Sequence, residues 1–376
     1  MKRTVFGRNS IQRLAEIAAL SKYNKIFLVT GKNSFTASGA DKRLSPFFTG
    51  KDVCHFSDFS VNPKLESARN GADLLRQHQS EIIIAVGGGS VIDMAKLINS
   101  FAATKLSPEK LIKQQDAFSD KLLPLIAIPT TAGSGSESTH FAVVYYNGEK
   151  NSLANIKLKP DYVILDPDFL KSSSKNLISC SGFDAFSQAV ESFWSVNSTS
   201  KSLKYALKAM KLIKLNISPA VKDDNFKAKS MLLLAAHLAG KAINISKTTA
   251  PHALSYTLTT EFNIPHGHAV ALFLGKFLKY NFELNSTSKI NDPRGVTHIE
   301  NIKKELCEIF ECKTPEQCMD NWYRLMRETG LTSSFKALGI NSGELKYIVD
   351  HLNIGRMKNN PISFNKEELI KILKED

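Results

Sequence analysis

No stretch of the sequence reaches the ~20 consecutive apolar residues that a membrane-spanning helix needs, and the opening MKRTVFGRNS lacks the apolar run of a secretory signal. Together these absences predict a cytoplasmic protein with no membrane partner. Cysteine is sparse: Cys54, Cys180, Cys307, Cys312 and Cys318 are odd in number and include no CxxC pair, so free thiols are expected rather than a structural zinc site or a redox dithiol. There is no low-complexity tract to suggest disorder, and no internal repeat of about 20 to 50 residues to suggest a solenoid. The GxGxxG fingerprint of ordinary dinucleotide-binding domains is missing as well.

What remains is a chain of 376 residues, 43% hydrophobic and 23% charged, long enough for two domains that each bury a core. The formal net charge of +13 could serve nucleic acid, a membrane surface or anionic small molecules. Lys and Arg are spread along the whole chain rather than gathered in a basic arm or aromatic-plus-basic motif, which argues against nucleic acid. A phosphorylated cofactor or an anionic substrate fits the charge, and so does a basic surface that serves only solubility.

The first half alternates short apolar runs with helix-like stretches: KIFLVTGK, then EIIIAVGGGS, then PLIAIPTT. This is the rhythm of βαβ units and a parallel sheet covered on both faces. His140 to Tyr146 and Tyr162 to Leu165 are further strand candidates, and Asn147-Gly148 predicts a hairpin between them. After Asp166-Pro167 the chain reads as helices, including Asp184 to Trp194, Ser202 to Leu215 and Lys227 to Ile243. The expected domains are therefore an α/β domain over 1–170 and an all-helical domain over 171–376.

Gly87-Gly88-Gly89-Ser90 leaves a predicted strand and enters a helix through Asp93, Ala95 and Lys96. Glycines allow close backbone approach, and the free N–H groups of a helix start suit a pyrophosphate; a bare tight turn would use the same residues. The segment from Pro129 to Glu137, with Thr130, Thr131 and Ser134, follows another apolar strand and is rich in hydroxyls. Two such loops at strand ends would converge on the crevice where open α/β sheets bind ligands. In the helical half, Asp184 and Gln188 stand at i and i+4 on one helix face, and His252 and His266 lie 14 residues apart. A carboxylate, an amide oxygen and two imidazoles suit Fe(II) or Zn(II). Each residue singly could equally be a cap or a structural polar group.

GGGSVIDMAK, PTTAGSGSE, GFDAFSQAVESFWS and TAPHALSY followed by IPHGHAVAL resemble, in order and spacing, the signature segments of the iron-containing alcohol dehydrogenases. The opening FGRNSIQRL and VNPK extend the likeness toward the start. The resemblance implies a dehydroquinate synthase-like fold, with an N-terminal dinucleotide-binding α/β domain, a helical metal-binding domain, an active site in the cleft between them, and a homodimer. It implies metal ligation by Asp184, His252 and His266, with Gln188 where relatives usually carry a third His. Tyr256 stands where many relatives have a further His, so a proton relay through that position is not carried over.

The same resemblance extends the cofactor contacts to Asn62, Asp93 and Lys150, and places Gly31 where NAD-preferring relatives carry Asp. An acidic residue there would repel a 2′-phosphate; with Gly31 followed by Lys32 and Asn33, NADPH is expected ahead of NADH. A subgroup typified by phosphonoacetaldehyde reductases is the finer likeness, through DAFSQAVESFWSVNSTS and GKAINISKTTAPHALSY. His140, Lys247 and His268 are the candidate contacts for an anionic substrate, with His268 or solvent as the proton donor. The implied reaction is hydride transfer from NAD(P)H to a short aldehyde, aided by a divalent metal acting as Lewis acid. A glycerol-phosphate dehydrogenase, a dehydroquinate synthase-like lyase, or a metal-free dinucleotide-binding protein without catalysis are the alternatives.

Overall fold

The computed structural model describes residues 4–17, 22–113, 122–284, 288–352 and 354–375. Six parallel strands form the sheet of the first half: β1 (Thr4–Phe6), β2 (Lys25–Thr30), β3 (Asp52–Phe56), β4 (Ile82–Gly87), β5 (Leu125–Pro129) and β8 (Tyr162–Leu165). Their order is β1-β8-β5-β4-β2-β3. β4 and β5 are buried at every position, because helices cover both sides and a central parallel strand has no wet face. Alternate residues feed two cores. Phe27, Val29, Ile83 and Ala85 pack on one face with Ala68 and Ile98, from α3 (Leu65–His78) and α4 (Gly89–Ala102). Ile26, Leu28, Ile84 and Val86 pack on the other with Ile11, Leu14 and Leu44. The shorter helices α1 (Ser34–Ala37), α2 (Ala40–Phe48) and α5 (Pro108–Lys113) complete this half.

The hairpin differs from expectation. β6 (Phe141–Tyr146) pairs antiparallel with β7 (Glu149–Ala154), while Tyr162–Leu165 lies between β1 and β5 in the parallel sheet. Asn147 and Gly148 both have positive φ, 51° and 76°, as a two-residue turn of the primed type requires. Such a turn joins strands that are adjacent in sequence, so the partner is the polar run starting at Glu149, not the more apolar one beyond it.

The chain divides into two compact units between Ser173 and Ser174. The second unit is built on α6 (Lys175–Trp194), α7 (Ser200–Lys222), α8 (Phe226–Ser246), α9 (Ala250–Thr260), α10 (His266–Tyr280), α11 (Gly295–Phe310), α12 (Pro315–Glu328), α13 (Ser342–Asp350) and α14 (Lys366–Lys374). Two residues each at β9 (Lys289–Ile290) and β10 (Ile362–Ser363) form an antiparallel pair, a small departure from an all-helical unit. α6 starts nine residues before Asp184, where the Ser174 hydroxyl accepts the Leu177 N–H as an N-cap. It is buried almost all round, as a helix surrounded by other helices must be. No described helix is long and apolar enough to cross a membrane.

The expectation of five free thiols is also corrected: Cys312 and Cys318 are joined as a disulfide, and Cys54, Cys180 and Cys307 are free. Glu311 ends α11 in the left-handed region (φ 54°), and Cys312 N–H then donates to Cys307 O. That reversal brings Cys312 against the first turn of α12, a proximity that spacing along the chain does not show.

Candidate active site

The first constellation lies at the carboxyl ends of β2, β4 and β5. Thr30 is paired with Val86, and Gly87 with Pro129, so Gly31, the glycine turn and the Thr130 loop issue from three adjacent strands. Chain direction across the sheet reverses between β2 and β4, which is where open α/β sheets form their ligand crevice. Thr130 N–H donates to Gly87 O at 3.1 Å. The glycines are required by close approach: a Cβ on Gly89 would stand 2.4 Å from Ser134 Oγ, and one on Gly88 3.3 Å from Thr131 Oγ1. The two loops therefore touch, and the first N–H groups of α4, which no helical carbonyl can accept, open beside them.

Around this turn, Asn62 has φ 66° and its N–H donates to Ser90 Oγ at 3.3 Å. Gly31 follows the last residue of β2, and Lys32 is exposed and paired with Asp58 at 2.8 Å. Asn33 precedes α1. Asp93 is fully engaged by protein: one oxygen accepts from the Ser136 hydroxyl and the other from Val143 N–H. Burial pushes its carboxyl up, against the nearby Lys96 and Lys150 charges. Asp93 thus braces the loop and hairpin. His140 packs edge-on against Phe141.

Lys96 carries a role that motif reading did not supply. Its ammonium is fully buried and donates to Ser136 O and Oγ, Thr139 O and Oγ1, and Phe141 O, at 2.7 to 3.2 Å. Burial lowers its pKa to about 8, against the pull of Asp93 and Glu137. A lysine whose only apolar-run neighbours are helical gives no hint in sequence that five acceptors from a distant loop surround it.

The second constellation is in the helical unit. Asp184, His252 and His266 each offer a donor atom, and these lie within 4.8 Å of one another. His252 Nε2 is 3.5 Å from Asp184 Oδ1, against the about 3.3 Å that two donors bound near 2.05 Å would show on a tetrahedral ion. His266 stands half-buried at the start of α10, and at the next residue, Gly267, a Cβ would collide with Cys180 O. Only glycine lets α10 begin so close to α6. Tyr256 stacks on His266, with ring centroids 6.1 Å apart and planes at 11°.

Gln188 is 4% exposed and donates to Asp184 Oδ1 at 3.1 Å, while its Oε1 has no hydrogen-bond partner among the described residues. An orphaned buried amide oxygen beside a carboxylate and two imidazoles fits a cation. Glu191, one turn further along the same face of α6, is the residue sequence reading missed. Its Oε2 binds His252 Nδ1, and its Oε1 accepts from Thr249 N–H (2.9 Å), Thr249 Oγ1 (3.0 Å) and His252 N–H (3.2 Å). A hydrogen held on Nδ1 leaves Nε2, toward Asp184, as the nitrogen that can give up its proton to a metal, the arrangement in which carboxylates orient metal-binding histidines. Burial resists charge on His252, but Glu191 and Asp184 outweigh it and raise its pKa to about 9. The missed signal was a carboxylate at i+7 from Asp184, on the same face of a helix that is buried almost all round.

Of the anion candidates, Lys247 is exposed and holds an unusual backbone, φ 62° and ψ 174°, a region that essentially only glycine occupies without strain of ~1 to 3 kcal/mol. His268 is buried, and its Nε2 bonds Thr332 O at 2.6 Å. Burial lowers its pKa despite that bond, so the ring is neutral at pH 7 with Nε2–H committed, and it is not one of the three clustered donors. His140 belongs to the first unit, whereas Lys247 and His268 belong to the second.

Both halves of the chain are similar to known proteins. Residues 2–167 match the family described as iron-containing alcohol dehydrogenase, and residues 178–376 match the Fe-containing alcohol dehydrogenase family, C-terminal. A phosphonoacetaldehyde reductase of Streptomyces viridochromogenes is 30% identical over 311 residues, 80% of this chain and 77% of that protein. Alcohol dehydrogenase 4 of Saccharomyces cerevisiae is 27% identical over 98% of this chain and 95% of its own length. Among solved structures, sulfoacetaldehyde reductase from Bifidobacterium kashiwanohense in complex with NAD+ superposes with a TM-score of 0.85 at 28% identity, covering 99% of this chain and 97% of that one. The fold is the dehydroquinate synthase-like one expected. The chain belongs to the iron-containing alcohol dehydrogenase family and is an NAD(P)-dependent oxidoreductase interconverting an alcohol and an aldehyde, with a divalent metal as its second cofactor.

Proposed function

We propose that this chain reduces a short aldehyde bearing an anionic end group, phosphonoacetaldehyde in the first instance, with NADPH as the preferred hydride donor. The observation that carries the substrate reading is Lys247. It sits in a backbone conformation that costs stability, and two residues on, Thr249 is bound through N–H and Oγ1 to the Glu191 carboxylate that also orients His252. Strain held in place by surrounding structure gathers at ligand sites. A cationic side chain at that point would give a dianion charge-assisted hydrogen bonds that a methyl or hydroxyl terminus cannot make. The phosphonoacetaldehyde and sulfoacetaldehyde reductases among the relatives support an anionic aldehyde. The family match favours this reading over the lyase and glycerol-phosphate alternatives.

In this reading Asp184, Gln188, His252 and His266 hold the metal, which supplies Lewis acidity toward a carbonyl oxygen. Glu191 keeps His252 in the Nδ1–H tautomer. Gly87 to Ser90, Thr130, Thr131 and Ser134 receive the pyrophosphate, Asn62 and Lys150 flank it, and Gly31, Lys32 and Asn33 leave room and charge for a 2′-phosphate. Since His268 commits its Nε2–H to Thr332, the proton that completes the alcohol comes from water.

The test is a steady-state assay with NADPH on phosphonoacetaldehyde, sulfoacetaldehyde and a neutral aldehyde of similar length. The expected result is a much lower KM for the phosphonate. Loss of one hydrogen bond to a charged group costs ~1.5 to 3 kcal/mol, so Lys247→Ala should raise that KM roughly 10- to 150-fold and leave the neutral aldehyde unchanged. Lys247→Gly should do the same while raising stability, because glycine relieves the backbone strain. Equal KM values for anionic and neutral aldehydes would remove the substrate assignment, leaving the reductase activity itself standing.

A further inference from the structure

Outside the Asp184 site, a second group of metal-ligating side chains lies on the helical unit: the sulfurs of Cys307, Cys312 and Cys318 all fall within 4.8 Å of one another. The backbone places them. Cys307 is in the last turn of α11, the left-handed Glu311 reverses the chain, and Cys312 N–H returns to Cys307 O at 2.9 Å. Thr314 then caps α12 by accepting Gln317 N–H, Lys313 N–H bonds Gln317 Oε1, and Asn321 Nδ2 reaches back to Phe310 O. The turn is thus fixed from both helices, and the sulfurs converge without relying on side-chain mobility. Cys318 is buried, while Cys307 and Cys312 are half-buried and give access from solvent.

We propose that when the Cys312–Cys318 disulfide is reduced, Cys307, Cys312 and Cys318 form a trithiolate site for one soft, thiophilic cation, and that the disulfide is the form of the same site that cannot bind it. Cys307 Sγ and Cys318 Sγ are 3.7 Å apart, close to the about 3.8 Å between two thiolates bound at 2.3 Å on a tetrahedral ion. The Cα atoms of Cys312 and Cys318 are 5.8 Å apart, so the third sulfur needs only to part from its partner to complete the set. An all-sulfur donor set selects soft ions, whereas the oxygen and nitrogen donors around Asp184 do not. The chain would therefore sort two classes of metal between two sites.

The chemistry balances with a dithiol as reductant. Dithiothreitol delivers two electrons and two protons to the Cys312–Cys318 bond and closes to its own cyclic disulfide. A divalent ion then forms three metal–sulfur bonds as the three thiols release three protons.

Cd(II) is the probe, added to the full chain after reduction and removal of dithiothreitol without air. A thiolate-to-cadmium charge-transfer absorbance should grow and saturate at one equivalent, a signal the sulfur-free Asp184, His252 and His266 donors cannot produce. Trp322 lies one helical turn from Cys318 and packs on Phe310, so its fluorescence should change in step. Disulfide-bonded protein should show neither response. Cys307→Ser and Cys312→Ser, both at half-buried positions, should each weaken Cd(II) binding beyond the about 10- to 100-fold that loss of a mere outer partner causes, with unchanged circular dichroism; Cys54→Ser should bind as the parent does. Absence of the absorbance in reduced parent protein overturns the proposal. So does full-strength binding in either Cys307→Ser or Cys312→Ser, which would mean that three sulfurs are not the ligands.

Discussion

Glu191 binds the Nδ1 side of His252, and the opposite nitrogen, Nε2, faces Asp184 Oδ1 at 3.5 Å. The first contact determines the second: with its hydrogen held on Nδ1, the imidazole has Nε2 as the nitrogen that can lose its proton and take a metal. Glu191 is a positioning residue in this sense, acting on the metal through His252. Glu191→Gln should lower Fe(II) or Zn(II) affinity by about 10- to 100-fold, read by competition with a chelator followed by metal analysis. Unchanged affinity would leave Glu191 with a structural role only.

Gln188 offers the same site an amide oxygen that has no protein partner. Imidazole is the better ligand for iron and zinc, so Gln188→His should tighten binding by on the order of 10-fold in the same competition. If affinity falls instead, Gln188 is more valuable as a donor to Asp184 than as a ligand, and three residues hold the metal.

Gly31 adjoins the strand pair at which sheet direction reverses, and a Cβ there would meet Ser34 Oγ, the end of a side chain that can rotate away. Gly31→Asp should therefore fold and shift preference from NADPH toward NADH, by setting a carboxylate against the 2′-phosphate. The ratio of kcat/KM for the two cofactors reads this directly. Parent protein with equal efficiencies would contradict the expected preference.

Lys96 makes a prediction about pH. Its folded pKa of about 8 lies below the ordinary lysine value of 10.5, so between these values the unfolded chain binds more protons than the folded one. The contribution of Lys96 thus makes stability rise with pH across that window, and adds no pH dependence below about 8, where both states are protonated. Lys96→Met should remove that rise and, by stranding buried acceptors and the Asp93 and Glu137 charges, destabilise by ~3 to 5 kcal/mol at pH 7. Urea unfolding at several pH values tests both; a parent protein that loses stability relative to Lys96→Met between pH 8 and 10 would contradict the sign.

The parts of this protein that the sequence determined by itself are those whose chemistry is local. GGGS and PTTAGSGSE announce themselves because an apolar strand, a glycine or hydroxyl turn and a helix start are contiguous, and Asp184 with Gln188 shares a face because helical geometry makes i and i+4 neighbours. The Asn147-Gly148 turn was legible too, though its second strand was misplaced, since the polar run from Glu149 has little of the apolar alternation that marks a strand. Tertiary structure alone decided which distant groups meet. Glu191 reaches His252 across 61 residues, Lys96 reaches Ser136 across 40, and three cysteines join through a left-handed turn at Glu311. Those contacts come from how helices and strands pack, where glycines such as Gly267 allow backbones to close in. Packing is a property of all the elements together, and no short stretch of residues encodes it.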